Sequence, residues 1–319
     1  MEQPRTLMEA VVHFSDADRT LETAVSLRWP NGVHCPTCGR ADVRFIATRR
    51  IWECKEKHAK RQFSAKVGTI FEDSALGLDK WFVAIWAIAN CKNGISSYEL
   101  ARHIGVTQKS AWHMLHRIRL AMQVGSFDKL SGIVEADETF IGGIVGNMHE
   151  AKKKKLPSRG MGQGTIKEVV VGVLERSSEK SHSRVRVRHI KDANKKHVQE
   201  AVRDFAAVNS QLMTDSAAMY RSLGKDYVHQ FVNHAQEYVR GNIHSNGIEN
   251  FWSLLKRTVK GTYISVDPIH LARYLDEQTF RFNERKLSDY GRFANVVSSI
   301  VGKRLTYREL IGYDDAQHA

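Results

Sequence analysis

The chain has few cysteines, fewer acidic than basic residues and no long apolar run. Its longest strongly apolar stretch, Trp81 to Cys91, falls well short of the roughly 20 residues a bilayer span needs. The first residues, MEQPRTLMEAVVHFSDADRT, include acidic side chains and no continuous apolar segment. A secretory signal is therefore not expected, and a cytoplasmic location is. In that reducing compartment, four cysteines point to metal ligation rather than disulfides. No tyrosine or serine nucleophile motif stands out, so a covalent protein intermediate is not suggested. The shortage of acid leaves 48 Lys and Arg against 35 Asp and Glu, a net charge of +13 and a pI near 9.6. That balance favours a polyanionic partner. With 319 residues the chain can form two or three domains with a sizeable core.

Three of the four cysteines cluster. Cys35-Pro-Thr-Cys38-Gly39 is a CxxC knuckle closed by a glycine, and Cys54-Lys-Glu-Lys-His58 supplies a second ligand pair. The stretch between them, ADVRFIATRRIWE, reads as a β-hairpin. Cys35, Cys38, Cys54 and His58 suit a closed, tetrahedral, structural zinc site, with no open position for catalysis. His34, beside Cys35, is the alternative fourth ligand. Cys91 lies on an apolar helix and is expected in the core.

From Leu78 to Met122 the pattern is helical. Asp79 is the expected N-cap of KWFVAIWAIANC, which Lys92-Asn93-Gly94 ends. Ser96, with Glu99 three residues on, opens a short helix. Gly105 makes a turn, and Thr107 caps a helix whose apolar positions Ala111, Met114, Leu115, Ile118 and Met122 recur at helical spacing. A short helix, a glycine turn and a basic helix form the helix-turn-helix pattern. Lys109, Ser110, His113 and Arg117 are the candidate contacts to double-stranded DNA.

After Asp128 the periodicity changes to mixed α/β. GIVEADETFIGG, VVVGVLERS and SRVRVRHI read as strands, NKKHVQEAVRDFAAV as a helix, and QLMTD and HQFVN as further strands. A helix follows from about Gly247 to Lys260, then another over DPIHLARYLDEQTFRFNERK. Alternation places Glu135 and Asp137 on one face of the first strand and Glu138 on the other. Asp215 ends its strand just before Ser216 should open a helix, where ligands sit in open α/β sheets. Glu249 and Lys256 are seven residues apart, almost eclipsed at about 100° per residue, beside an apolar stripe of Ile248, Phe251, Trp252, Leu255 and Val259. Asp137, Asp215 and Glu249 can together hold divalent cations, with Lys256 meeting a phosphate. The basic stretch AKKKKLPSRGMGQGTIK, Ala151 to Lys167, suits a phosphate-clamping loop.

Roughly Leu21 to Tyr307 resembles the bacterial insertion-sequence transposases that join a zinc ribbon to an RNase-H-like DDE domain, the ISXO-like group. The segments that carry the resemblance are LRWPNGVHCPTCG, RQFSAKVGTIFEDS, SSYELARHIGVTQKSAWHMLHRIR, VEADETFIGG, LMTDS and HSNGIENFWSLLKR. The resemblance implies an RNase-H-like mixed sheet flanked by helices, with Asp137, Asp215 and Glu249 as the metal triad. It makes Lys256 the basic residue after that triad; Lys256 and Arg257 are further candidate DNA contacts. The family's third position varies between Glu and Asn, so Asn246 is the alternative third ligand. The Cys-x3-His half-site departs from the commoner CxxC.

The domains expected are an N-terminal helix and zinc ribbon (1–75), a helix-turn-helix segment (76–127), a DDE domain (128–310) and a tail (311–319). The function implied is DNA transposition. Two Mg²⁺ or Mn²⁺ ions would support cleavage of element ends and transfer of their 3′-hydroxyls to target DNA, in a homo-oligomer at the nucleoid. A transposase-derived DNA-binding regulator and an RNase-H-like nuclease are the alternatives.

Overall fold

The computed structural model describes residues 3–123, 128–142, 167–179, 181–215, 218–232 and 244–312. The basic loop up to residue 166, Gly143, Ser216 and the tail from 313 lie outside them. In chain order the elements are α1 (Leu7–Ser15), α2 (Ala17–Arg28), β1 (Val43–Ile46), β2 (Ile51–Cys54), β3 (Gln62–Phe63), α3 (Leu78–Asn90), α4 (Ser97–Ile104), α5 (Gln108–Met122), β4 (Ile133–Ile141), β5 (Glu168–Glu175), β6 (Arg184–Ile190), α6 (Lys195–Phe205), β7 (Gln211–Asp215), β8 (Val228–Val232), α7 (Asn246–Thr258), α8 (Leu271–Asn283), α9 (Asp289–Ser298) and α10 (Tyr307–Leu310). No helix among the described residues is long and apolar enough to cross a membrane.

The chain forms two compact units, residues 1–124 with 284–319, and residues 125–283. In the first, β1, β2 and β3 make an antiparallel sheet, with the expected hairpin between Val43 and Cys54. Helix α3 is the hub of this unit. Its Phe82 meets Phe14 of α1 and Phe293 of α9 at ring-centroid distances of 5.2 and 5.3 Å. Residues 284–310, expected at the end of the DDE domain, thus belong to the N-terminal unit, because Phe293 completes its aromatic core. Gly77 is the N-cap of α3, and Asp79 stands inside the first turn rather than at the cap. Cys91 follows the end of α3 and is exposed, not core. Ser96 and Thr107 do cap α4 and α5, accepting the N–H groups of Glu99 and Ser110 at 3.1 Å each. Gly105 closes α4 in the left-handed region at φ 61°.

The second unit is built on a five-stranded mixed sheet in the order β6-β5-β4-β7-β8. β4, β5 and β6 pair antiparallel, and β7 and β8 run parallel to β4. Alternation divides the sheet's two faces. Val134, Ala136, Val171 and Val173 pack with Val198, Val202 and Phe205 of α6. Val170 and Leu174 pack on the other face with Ile248, Phe251, Trp252 and Leu255 of α7 and with Leu271 and Leu275 of α8. Gly172 interrupts the valine-rich β5 because Trp252 lies over it. A Cβ there would come within 2.7 Å of two indole carbons. A buried polar network ties the end of α7 to α8. Thr258 donates to Gln278 at 3.2 Å, Tyr263 donates to Glu277 at 2.5 Å, and Arg281 donates to both Glu277 and Gln278.

Candidate functional site

The candidate site lies where β4 and β7 run side by side. Their parallel pairing sets Ile133 beside Gln211, Val134 beside Leu212 and Glu135 beside Met213. Continued along both strands, the same offset sets Asp137 beside Asp215. Residues in register on neighbouring strands point to one face. Burial raises the Asp137 carboxyl, with the charges of Glu138 and Asp215 adding to it, to about 7. Glu138 is raised too, by burial and then by Asp215, against the hydrogen bond it accepts from the Tyr220 hydroxyl. Asp137 and Asp215 thus present carboxylates to one face, and Glu138 adds its charge from the other side of the strand. Such an all-oxygen donor set suits a hard divalent cation, whose charge would relieve the repulsion.

Helix α7 reaches this place through three contacts. The Trp252 indole N–H donates to Asp137 at 2.9 Å. Buried Glu135 accepts the Ile248 N–H at 2.8 Å, taking the role of an N-terminal cap for the helix. Arg176 donates to Glu135 at 2.6 Å and to the His244 carbonyl at 2.6 Å. Gly247 admits this approach, since a Cβ there would lie 2.8 Å from the Glu135 carboxylate.

The third acid is placed less directly. Glu249 is exposed, and its carboxylate accepts the Ser245 hydroxyl at 2.7 Å. At about 100° per residue, Lys256 and Glu249 fall about 40° and 60° to the same side of Trp252, and Asn246 about 120°. Glu249 therefore stands nearer than Asn246 to the line that meets Asp137. Lys256 is half-buried, and Asn246 and Arg257 are exposed.

In the first unit, Cys35, Cys38, Cys54 and His58 present ligand atoms all within 4.8 Å of one another. Cys38 and Cys54 sulfurs are 3.6 Å apart, and Cys35 Sγ is 3.5 Å from His58 Nε2. A tetrahedral zinc with Zn–S bonds of about 2.3 Å separates its sulfurs by about 3.8 Å, so the group fits zinc. His58 Nδ1 donates to the Ala59 carbonyl at 2.6 Å, leaving Nε2 as the ligand atom. Burial pushes the Cys35 thiol up. The N–H groups of Cys38 and Thr37 and the Cys38 and Cys54 thiols outweigh it and bring it to about 7. His34 instead bonds the Gly32 carbonyl at 2.6 Å and stays outside the group.

Residues 129–283 match the ISXO2-like transposase domain, and residues 16–59 match the transposase zinc-ribbon domain. A Halobacterium salinarum relative, described as an uncharacterized protein in transposable element ISH50, is 28% identical over 260 residues. That alignment covers 78% of this chain and 85% of the relative. The chain belongs to this insertion-sequence transposase family.

The helix-turn-helix candidates of this transposase divide by burial. Lys109 is exposed, with its ammonium 4.5 Å from the Tyr307 ring centroid, and Ser110 is half-buried at the first turn of α5. His113 is half-buried against the Leu305 carbonyl at 3.2 Å, and burial lowers its pKa. Arg117 is only 5% exposed and donates to the Leu305 carbonyl at 3.0 Å and the Glu72 carbonyl at 2.6 Å. Arg117 is therefore an interior tie rather than a groove contact, and His113 is turned to the same carbonyl. Both residues read as surface residues in the sequence, because nothing local announces that the segment around Leu305 covers this face.

Nothing in the sequence marks Trp252 and Tyr220 as donors to acids, or Arg176 as the partner of Glu135. The one local signal was Gly172, a gap in a valine strand directly opposite Asp137.

Two outcomes follow. Purified protein should carry about one zinc per chain by elemental analysis, and Cys38→Ser should lose it. Full occupancy in that variant contradicts the ligand set. For Asp137, folding raises the pKa, so the ionised group destabilises the cation-free fold. That cost is absent below the ordinary value of 3.8 and complete above about 7. Without added magnesium or manganese, Asp137→Asn should raise unfolding stability at pH 8 by on the order of 2 kcal/mol and change it little at pH 4. Equal effects at both pH values in denaturant titrations would contradict the buried-charge assignment.

Proposed function

We propose that this transposase cuts the ends of its DNA element and joins the freed 3′-hydroxyls to target DNA by phosphoryl transfer. The observation that carries the proposal is the parallel register of β4 and β7, which carried two residues on brings Asp137 level with Asp215, together with a buried Asp137 carboxyl that feels the Asp215 charge. Two Mg²⁺ or Mn²⁺ ions at this place would activate the attacking oxygen and stabilise the leaving one.

Asp137 and Asp215 would supply ligand oxygens from strands, and Glu249, which accepts the Ser245 hydroxyl, would supply a third from the helix that Trp252 holds to Asp137. Lys256, on the same flank of α7, meets a DNA phosphate, and Arg257 follows it toward solvent. Asn246 lies farther round the helix and is the alternative third ligand. Lys109 and Ser110 contact double-stranded DNA from the start of α5, while the zinc ribbon keeps its fold through a closed metal site. The protein works in the cytoplasm at the nucleoid, as a homo-oligomer that holds two ends.

The test is a cleavage and strand-transfer assay with a 3′-hydroxyl donor in Mg²⁺. Asp137→Ala, Asp215→Ala and Glu249→Ala should each lose at least about a thousandfold in rate, with DNA binding retained. Lys256→Ala should lose about tenfold to a hundredfold, since it orients a phosphate instead of a cation. An inactive Asn246→Ala beside an active Glu249→Ala would move the third ligand by one helical turn. Cleavage without joining in the wild type would assign a nuclease instead.

A further inference from the structure

Asp137 and Glu138 are adjacent in β4 and face opposite sides of the sheet, yet each accepts a hydrogen bond from an aromatic side chain on a different element. Trp252, three residues after Glu249 on α7, donates to Asp137 at 2.9 Å. Tyr220, five residues after Asp215, donates its hydroxyl to Glu138 from the short helix Ala218–Lys225. We propose that Trp252 and Tyr220 are positioning residues that gather the three acid-bearing segments around the Asp137–Glu138 pair. This inference rests on Asp137 and Asp215 being cation ligands.

The donor chemistry supports a role beyond packing. Glu135, two residues earlier on the same strand, is also buried, but it is neutralised by Arg176 at 2.6 Å. A guanidinium on Asp137 or Glu138 would cancel the negative charge a cation needs. An indole N–H or a phenol O–H fixes a carboxylate and leaves its charge in place. Among the described residues, the cationic partner thus stands on the acid that anchors α7, and the donors to Asp137 and Glu138 are neutral.

Both donors are held firmly. The Trp252 ring lies over Gly172, which pairs with Asp137 across β4 and β5. Tyr220 is fully buried in the cluster that includes Val134, Ala136 and Leu212. Each aromatic therefore fixes a distance between elements as well as a carboxylate plane. Trp252 donates to a single oxygen of Asp137, Oδ2.

Mn²⁺ binding to the full-length, zinc-loaded protein, followed by electron paramagnetic resonance, tests this directly. The wild type should bind Mn²⁺ at a site that Asp137→Ala removes. If it does not, the cation reading itself fails, and the inference with it. Given that site, Trp252→Phe and Tyr220→Phe should each weaken Mn²⁺ binding about tenfold, the factor set by losing one hydrogen bond to a charged acceptor. Zinc content and DNA affinity should not change. The half-saturating Mg²⁺ concentration for cleavage should rise in step, while the rate at saturating Mg²⁺ stays nearer the wild-type value. Both rings merely fill space if both variants bind Mn²⁺ within twofold of wild type, and that result overturns the inference. Should Trp252→Phe fail to fold, Tyr220→Phe decides, because its ring keeps the same packing.

Discussion

The parallel pairing of β4 with β7 is the constraint on which the candidate site depends. It offsets the two strands by 78 residues, and the same offset separates Asp137 from Asp215. Burial is what chiefly raises the Asp137 carboxyl, and the neighbouring charges of Glu138 and then Asp215 add to that cost. Nothing in the pairing itself benefits from such an arrangement. The surrounding packing has to hold it, with Val134 and Ala136 buried on one face and Glu135 on the other. A strand that slipped by one residue would turn Asp137 to the α6 face and Glu138 toward α7.

Helix α7 is then fixed at both ends against this sheet. Glu135 and Arg176 hold its first turn, and the Glu277, Gln278 and Arg281 network holds the stretch beyond its last turn. Between those anchors stands Trp252, the contact that measures the helix against Asp137. The polar flank with Glu249 and Lys256 follows from that contact by helical geometry alone. Buried charge is used for registration at Glu135 and Glu277, where each acid has an arginine, and among the described residues Asp137 has none.

Much of this was legible in the sequence because the periodicities are strong. The hairpin of the ribbon, the valine-rich strands, the capped α4 and α5, and the separation of Glu135 and Asp137 from Glu138 all follow from local pattern. The zinc group was legible because ligand spacing is itself local. What escaped depends on distant partners. Arg117 reads as a surface base on a basic helix, and only the carbonyls of Leu305 and Glu72 draw it inward. Trp252 reads as one apolar residue in a stripe, although its N–H serves an acid 115 residues away. The boundary of the second unit at 283, rather than 310, turns on where Phe293 finds its aromatic partners.

The proposed chemistry requires Asp137 and Asp215 to act as one cation site rather than as two acids that happen to be neighbours. Anomalous scattering from crystals soaked in Mn²⁺ measures this most directly. A shared site gives a peak within bonding distance, about 2.0–2.3 Å, of oxygens from both carboxylates. Zinc at the cysteine group, told apart by its absorption edge, serves as the internal control. A map with the zinc peak and no manganese between Asp137 and Asp215, at a concentration that supports activity, would contradict it.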